Sequence, residues 1–208
     1  MRKRNLVLFL IVLCMAMVVV MVALAADAFA FGGKGYAREE NTQAEVKTPV
    51  RTAKQEALHQ AADILRDVGY TDDSVEIKTL QAAWMAEQEN LNIVARVVMG
   101  EAGYCPWEHK VAVAAVVVNR TKSPYFPSTV REVVAQPYQY TTLYLTGFEK
   151  TTRECYEAAK VALDGTDDVP DDVIWQAEFV QGTSVWWASV VDTGWYRSTT
   201  YFCRGVAW

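Results

Sequence analysis

The sequence predicts an α+β fold in which helices come first and a small group of strands follows. Apolar residues recur at three- and four-residue steps between residues 52 and 100, which is the period of amphipathic helices. After Pro170 the chain changes to short β-branched and aromatic runs separated by turn residues, a pattern typical of strands. Six of the seven Trp and eight of the ten Tyr follow residue 90, so the packed core is expected in the second half.

The N-terminus has the features of a membrane anchor or an export signal. Three basic residues at positions 2–4 precede an unbroken apolar run at residues 6–26. Its 21 residues match the roughly 20 that span a bilayer, whereas the apolar part of a cleaved signal usually has about 7–15. Small residues at 23–25 and 28–30 nevertheless resemble cleavage sites. The segment is therefore either an uncleaved anchor, which its length favours, or a long signal peptide. In both cases the rest of the chain is exported.

The remaining chain divides into a linker and a compact domain. Residues 31–50 are glycine-containing or polar without an apolar period, and a helical segment from Thr52 to Val68 follows and ends at Gly69. We therefore expect a signal or anchor at 1–30, a linker with a helical stalk at 31–78, and the domain at 79–208. The formal net charge of −5, with its basic excess confined to the first 36 residues, argues against a nucleic-acid partner.

Local signals place the elements of the domain in order. An apolar face predicts a helix over 79–100, and Pro106 suits the start of a second helix whose Ala/Val run at 111–118 indicates full burial. Two capping-box spacings predict short helices near 130–136 and 152–164. Three strands are then expected at Val173–Val180, Val185–Val191 and Thr200–Arg204.

Glu101 is the first candidate for catalysis. It lies at the end of an apolar helix and begins a turn that contains glycine, tyrosine and proline. A carboxyl among apolar neighbours loses hydration, which favours its protonated form and suits a general acid. The alternative is an ordinary helix-terminal carboxylate, although a helix C-terminus disfavours negative charge. Glu108, the nearest second carboxylate, has a simpler role at the start of the next helix, where it complements the dipole.

Cysteine and acidic clusters offer other chemistries that the spacing does not favour. Cys105 and His109 are four residues apart, but Pro106 intervenes and no third orienting group is evident. The usual zinc spacings are absent among Cys105, Cys155 and Cys203, so we expect no bound metal. These cysteines could form one disulfide with one thiol left over, or all three could be free thiols. The acidic run at 167–172 lacks the regularly spaced oxygen ligands of a calcium-binding loop, so we interpret it as a solvated turn.

Amides and aromatic rings suitable for a carbohydrate ligand occur in two places. Residues 136–140 read Gln-Pro-Tyr-Gln-Tyr, which combines hydrogen-bonding amides with flat apolar faces on a turn. Trp175 and Gln176, together with the Trp pair at 186–187, could extend the same groove. The competing interpretation is that any single one of these rings belongs to the core.

Several pieces together resemble the SleB/CwlJ-type cell wall hydrolase family. They are the apolar helix that runs into Gly-Glu-Ala at 100–102, the Ala/Val run that ends at Asn119 and Arg120, the Ser-Pro-Tyr-Phe-Pro turn at 123–127, and the Gln-Pro-Tyr-Gln-Tyr turn. Their order and spacing also match, over roughly residues 90–205. The first ninety residues lie outside the resemblance.

The resemblance implies a lysozyme-like, mostly helical domain that cleaves peptidoglycan glycan strands as a lytic transglycosylase without a cofactor. It implies that Glu101 is the catalytic acid and that Asn119 and Arg120 support the site. It also implies that Gln136, Gln139 and Tyr140 line the sugar groove, and Trp175 and Gln176 are added as substrate-binding candidates on their residue types alone. Tyr140 stands where the family usually has Phe, and Ile-Trp-Gln-Ala at 174–177 departs from the usual Tyr-Tyr-Asn-Pro. A noncatalytic wall-binding module and a cysteine peptidase are the competing classes, and protein partners stay unknown.

The N-terminal run makes a testable prediction about location. We expect the full chain to sediment with membranes and to keep its N-terminal residues, because residues 6–26 are long enough to span the bilayer. Mass spectrometry of the mature N-terminus checks this expectation. A soluble exported product that begins near residue 26 or 31 would instead establish a cleaved signal.

Overall fold

The computed structural model describes residues 49–140, 151–192 and 197–205. The predicted signal or anchor at 1–30 and nearly all of the polar spacer that follows it lie outside these ranges. None of the helices within them has both the length and the apolarity that a bilayer crossing needs. The helices are α1 (Ala53–Asp67), α2 (Val75–Ala102), α3 (Trp107–Lys122), α4 (Val130–Val134) and α5 (Arg153–Asp164), and the strands are β1 (Val173–Ala177), β2 (Ser184–Asp192) and β3 (Arg197–Arg204).

The chain forms two compact units, Met1–Trp84 and Met85–Trp208, and the dividing point falls within α2. In the first unit, α1 begins with a complete capping box, since Thr52 and Gln55 each bond the other's backbone N–H. Gly69 follows the helix with a φ of 99°, a conformation that only glycine adopts readily. The predicted helix at 52–68 is confirmed.

Helix α3 is the buried centre of the second unit. Every residue from His109 to Arg120 is buried, which confirms the prediction of a buried helix over the Ala/Val run. Small Ala and Val side chains allow close approach of the neighbouring elements α4, α5 and β1, all of which pack on α3. Threonine side chains cap α4 and α5 as the capping-box spacings predicted.

The three strands form one antiparallel sheet in the order β1-β3-β2. Both outer strands shift register opposite the same end of β3, between Val173 and Trp175 in β1 and between Val185 and Trp187 in β2. Phe202 of β3 stacks on Trp187 with ring centroids 5.3 Å apart, and the His109 ring meets it edge-on at 5.2 Å. These contacts attach the sheet to α3.

The α+β class predicted from the sequence is confirmed, and the lysozyme-like architecture stays a prediction. Helix α2 begins four residues before the predicted start at 79 and ends two residues after the predicted end at 100. Strand β1 ends at Ala177 rather than at Val180, and β3 begins at Arg197 rather than at Thr200. The predicted domain boundary at 79 stays a prediction as well.

Asn119 provides a test of how α3 holds the entry to β1. Its buried amide donates to the carbonyl oxygens of Pro170 (2.9 Å) and Val173 (3.2 Å). Asn119→Ala leaves both acceptors unpaired, so we expect the free energy of unfolding to fall by about 1–3 kcal/mol in urea denaturation.

Lys122→Ala is the matched control, because it removes an exposed ion pair with Asp171 in the same region. Such pairs contribute only about 0–1 kcal/mol. Equal losses in the two variants would contradict the role assigned to Asn119.

Candidate active site

Arg120 lies in the last turn of α3 with only 2% of its side chain exposed. Its Nε donates to the Ile174 carbonyl oxygen at 2.8 Å, and its Nη1 donates to Gln139 Oε1 at 2.9 Å. One guanidinium therefore ties α3 to β1 and to the Gln-Pro-Tyr-Gln-Tyr turn. Its rigid fork of donors suits this role better than the single ammonium of a lysine would.

Three aromatic rings surround the same guanidinium. The distances from Arg120 Cζ to the ring centroids are 4.9 Å for Phe126, 5.3 Å for Tyr140 and 5.5 Å for Trp175. Cation–π attraction is strongest when the cation is desolvated, as it is here. Trp175 also meets Phe126 edge-on at 5.6 Å and donates from Nε1 to the Gly205 carbonyl oxygen. We call Arg120, Phe126, Gln139, Tyr140 and Trp175 the Arg120 cluster.

Glu101 lies next to this cluster. It occupies the last turn of α2 and is half-buried. The pKa of Tyr140 is raised to about 12, chiefly by burial; the charge of Arg120 lowers this pKa and the charge of Glu101 raises it. An electrostatic effect on a buried group requires proximity, so Glu101 and Tyr140 share one local environment.

The turn that follows Glu101 is tight. A Cβ on Gly103 would lie 2.6 Å from the Met99 carbonyl oxygen, which is closer than real side chains approach. The chain thus folds back on the end of α2 only because residue 103 has no side chain. This close approach fixes the path of the chain just after Glu101, where α2 ends.

Backbone strain is concentrated in the turn at 136–140. Tyr138 has a φ of 63° and Tyr140 a φ of 47°, and no other non-glycine residue in the described ranges has a positive φ. Left-handed backbone is costly for residues with bulky side chains, and such strain clusters at binding and catalytic sites. The Arg120–Gln139 hydrogen bond, at 2.9 Å, is one contact that holds the turn in place.

Three of the five predicted substrate-binding residues have buried polar atoms without a hydrogen-bond partner in the described part of the chain. They are Gln136 Oε1, Tyr140 Oη and Gln176 Oε1. An unpaired buried polar group costs about 1–3 kcal/mol, so native proteins retain few of them. Of these three atoms, Tyr140 Oη is the one that lies in the Arg120 cluster, and an unpaired polar atom there is expected of a site that receives a polar ligand.

The structure brings some of the predicted site residues together and leaves others apart. Glu101, Gln139, Tyr140 and Trp175 lie in or beside the Arg120 cluster. No described contact places Gln136 or Gln176 against Arg120, and Asn119 bonds the backbone near β1 instead. Phe126 was missed as a site residue, although the Ser-Pro-Tyr-Phe-Pro motif that contains it is the signal that could have indicated it.

The thiol chemistry considered from the sequence finds little support. Burial raises the pKa of the Cys105 thiol, which disfavours the nucleophilic thiolate. The His109 ring points to the sheet, where its Nδ1 lies 2.9 Å from Ser189 Oγ. Cys105, Cys155 and Cys203 are all free thiols, so no disulfide joins them.

The remaining acidic candidates are exposed except for Asp167, which is half-buried and whose pKa is raised chiefly by burial. Glu108 lies in the first turn of α3, as expected of a residue that complements the helix dipole. In the acidic turn, Asp171 pairs with Lys122 and Asp172 pairs with Arg204. Within the described ranges, no three His, Cys, Asp or Glu side chains converge as metal ligands.

Part of the chain is similar to a known protein family. Residues 106–202 match the family described as Cell Wall Hydrolase. Just under half of the chain is therefore similar to this family. The resemblance to the SleB/CwlJ-type family that the sequence predicted is confirmed. The match includes the whole Arg120 cluster and begins five residues after Glu101.

Similar curated proteins are spore cortex-lytic enzymes. The one from Bacillus subtilis (strain 168) is 41% identical over 54 residues, 26% of this chain and 18% of the relative. The one from Oceanobacillus iheyensis is 43% identical over 56 residues, 27% of this chain and 20% of the relative. The one from Halalkalibacterium halodurans is 33% identical over 93 residues, 42% of this chain and 28% of the relative. The chain thus spans less than a third of each relative, and no solved structure matches it significantly.

The buried His109 predicts a pH effect on stability. Burial, assisted by the charge of Lys110, lowers the pKa of His109 from 6.5 to about 4. Between these pH values the unfolded chain binds the proton and the folded chain does not, so stability falls as the pH decreases from 6.5 to 4. We expect His109→Gln to weaken this dependence in urea denaturation at several pH values. Parallel curves for His109→Gln and wild type would show that other groups cause it.

Proposed function

We propose that this protein cleaves the glycan strands of peptidoglycan, with Glu101 as both acid and base. The observation that carries the proposal is the position of Glu101 beside Tyr140 and the Arg120 cluster, next to a segment of the cell wall hydrolase family. Aromatic faces with amide and hydroxyl groups suit a sugar ligand, which presents both apolar ring faces and polar edges.

The proposed reaction needs no group beyond this chain's own residues. Glu101 donates its proton to the oxygen that bridges N-acetylmuramic acid and N-acetylglucosamine, and the bond from that oxygen to C1 of the muramic residue breaks. An oxocarbenium-like centre forms at C1. The muramic 6-hydroxyl then attacks C1 and returns its proton to the Glu101 carboxylate. The products are a 1,6-anhydromuramic end and a new N-acetylglucosamine 4-hydroxyl.

Transglycosylation is favoured over hydrolysis because one carboxylate is enough for it. Glycoside hydrolases generally use two carboxyl groups on opposite sides of the bond. In the described ranges, the charges that act on Tyr140 are those of Arg120 and Glu101, and no second acid is among them. Hydrolysis with water as acceptor, and a binding module without activity, are the alternatives that the products distinguish.

We place the protein outside the cytoplasmic membrane, facing the wall, either anchored through residues 6–26 or secreted if that segment is removed. Residues 91–208 have ten basic and thirteen acidic residues, so charge alone does not hold them to anionic wall polymers. A membrane tether supplies a high local concentration at the inner face of the wall. The names of the relatives make spore cortex a substrate to test beside vegetative wall.

Glu101→Gln provides the direct test of this function. The full chain is incubated with purified vegetative and cortex peptidoglycan, and the fragments are identified by mass spectrometry. We expect wild type to release glycan ending in 1,6-anhydromuramic acid and the variant to lose at least about 100-fold in rate, because the amide cannot transfer the proton.

Glu108→Gln is the matched control, since Glu108 is an exposed carboxylate seven residues away on α3. It should retain wild-type activity. Reducing-end sugars would indicate hydrolysis and a second carboxylate. Intact glycan with wild type on both substrates would favour a noncatalytic wall-binding module.

A further inference from the structure

The Tyr140 hydroxyl stands out among the buried groups because it has no partner in the described part of the chain. Tyr140 is 7% exposed, and its Oη has neither a hydrogen bond nor contact with solvent. Its pKa of about 12 keeps the phenol protonated, so this oxygen carries a hydrogen to donate at any ordinary pH. A phenylalanine would fill the same space without leaving a buried polar atom unpaired.

Arg120, against whose guanidinium the Tyr140 ring lies, places a cation next to this ring. Its Nε and Nη1 already donate to the Ile174 carbonyl oxygen and to Gln139 Oε1. The Tyr140 ring centroid and Arg120 Cζ are 5.3 Å apart, and both residues are more than nine-tenths buried. The described site therefore holds one buried donor that lacks an acceptor, the Tyr140 hydroxyl, and its unmet need is an oxygen that accepts.

The carbonyl oxygen of each N-acetyl substituent is a strong hydrogen-bond acceptor that carries no hydrogen, whereas the ring and bridging ether oxygens of a glycan strand accept only weakly. Sugar hydroxyls donate as well as accept, so donors alone do not select them. The methyl of an N-acetyl group also suits aromatic surroundings such as Phe126 and Trp175. The nearness of Glu101 places such a group on a sugar at the bond that is cleaved.

We propose that Tyr140 is a specificity-determining residue whose Oη donates a hydrogen bond to the N-acetyl carbonyl of the sugar bound beside Glu101. This inference rests on the proposed function in taking the ligand to be a peptidoglycan strand. Because Oη is closed off from solvent, the ligand reaches it when the turn at 136–140 shifts. The positive φ values of Tyr138 and Tyr140 mark that turn as the strained part of the site.

A binding experiment tests the proposal without depending on cleavage. The full chain with Glu101→Gln is compared with the double variant Glu101→Gln/Tyr140→Phe. The probes are soluble glycan strands that are fully N-acetylated, enzymatically de-N-acetylated, or re-N-acetylated with acetic anhydride. We expect Tyr140→Phe to weaken binding of the acetylated and re-acetylated strands by about five- to tenfold, the value of one hydrogen bond. Binding of the de-N-acetylated strand should not change.

Tyr104→Phe in the Glu101→Gln background is the matched control, because its hydroxyl belongs to a side chain that is 92% exposed. It should bind all three probes like its parent. Equal weakening of all probes by Tyr140→Phe would show a merely structural role, and unchanged binding would show that Oη meets no ligand. Either result overturns the proposal.

Cleavage rates separate this inference from the proposed function. The single Tyr140→Phe variant should raise KM for acetylated glycan and leave the pH profile of kcat unchanged. A displaced pH profile with unchanged KM would mean that the hydroxyl acts on Glu101 rather than on the sugar, which also overturns the proposal. Absence of cleavage by wild type would refute the proposed function, while the binding comparison would still decide the role of Tyr140.

Discussion

The buried guanidinium of Arg120 is the interaction on which the arrangement of the site depends. Moving a cation out of water costs several kcal/mol, and that cost must be offset locally. Here the Ile174 carbonyl, the Gln139 amide oxygen and three aromatic faces provide the compensation. The five partners come from three separate parts of the chain, so satisfying one charge brings together the end of α3, the two proline-containing turns and β1.

Helix α3 makes this arrangement possible because its central residues, 111–118, have only small side chains. Its Ala and Val side chains allow α4, α5 and β1 to approach closely, so that a long polar side chain at its end reaches all of its partners at once. The preceding helix ends in an equally tight turn, where Gly103 lies against the Met99 carbonyl oxygen. Close backbone packing therefore fixes the end of the helix that carries Glu101.

The same arrangement leaves polar groups unpaired where a ligand would meet them. Tyr140 has strained backbone and an unpaired hydroxyl, both of which reduce stability. Proteins keep such costs where they serve binding or catalysis. The family match begins five residues after Glu101 and includes the whole Arg120 cluster. The role of Glu101 as the acid stays a proposal, and its place in the last turn of α2 beside Tyr140 supports that proposal.

The sequence by itself determined the secondary structure, the burial of α3 and the family. Periodicity, capping threonines and the run of Ala and Val are local signals, and local backbone preferences and burial decide those features. It also indicated Glu101 and the turn at 136–140, through motif order. Only the tertiary structure decided that Phe126, Gln139, Tyr140 and Trp175 share one cation, and that the His109 ring bonds Ser189 in the sheet. Most of these contacts join residues 19–80 positions apart, and nothing in a linear pattern specifies how such distant segments meet.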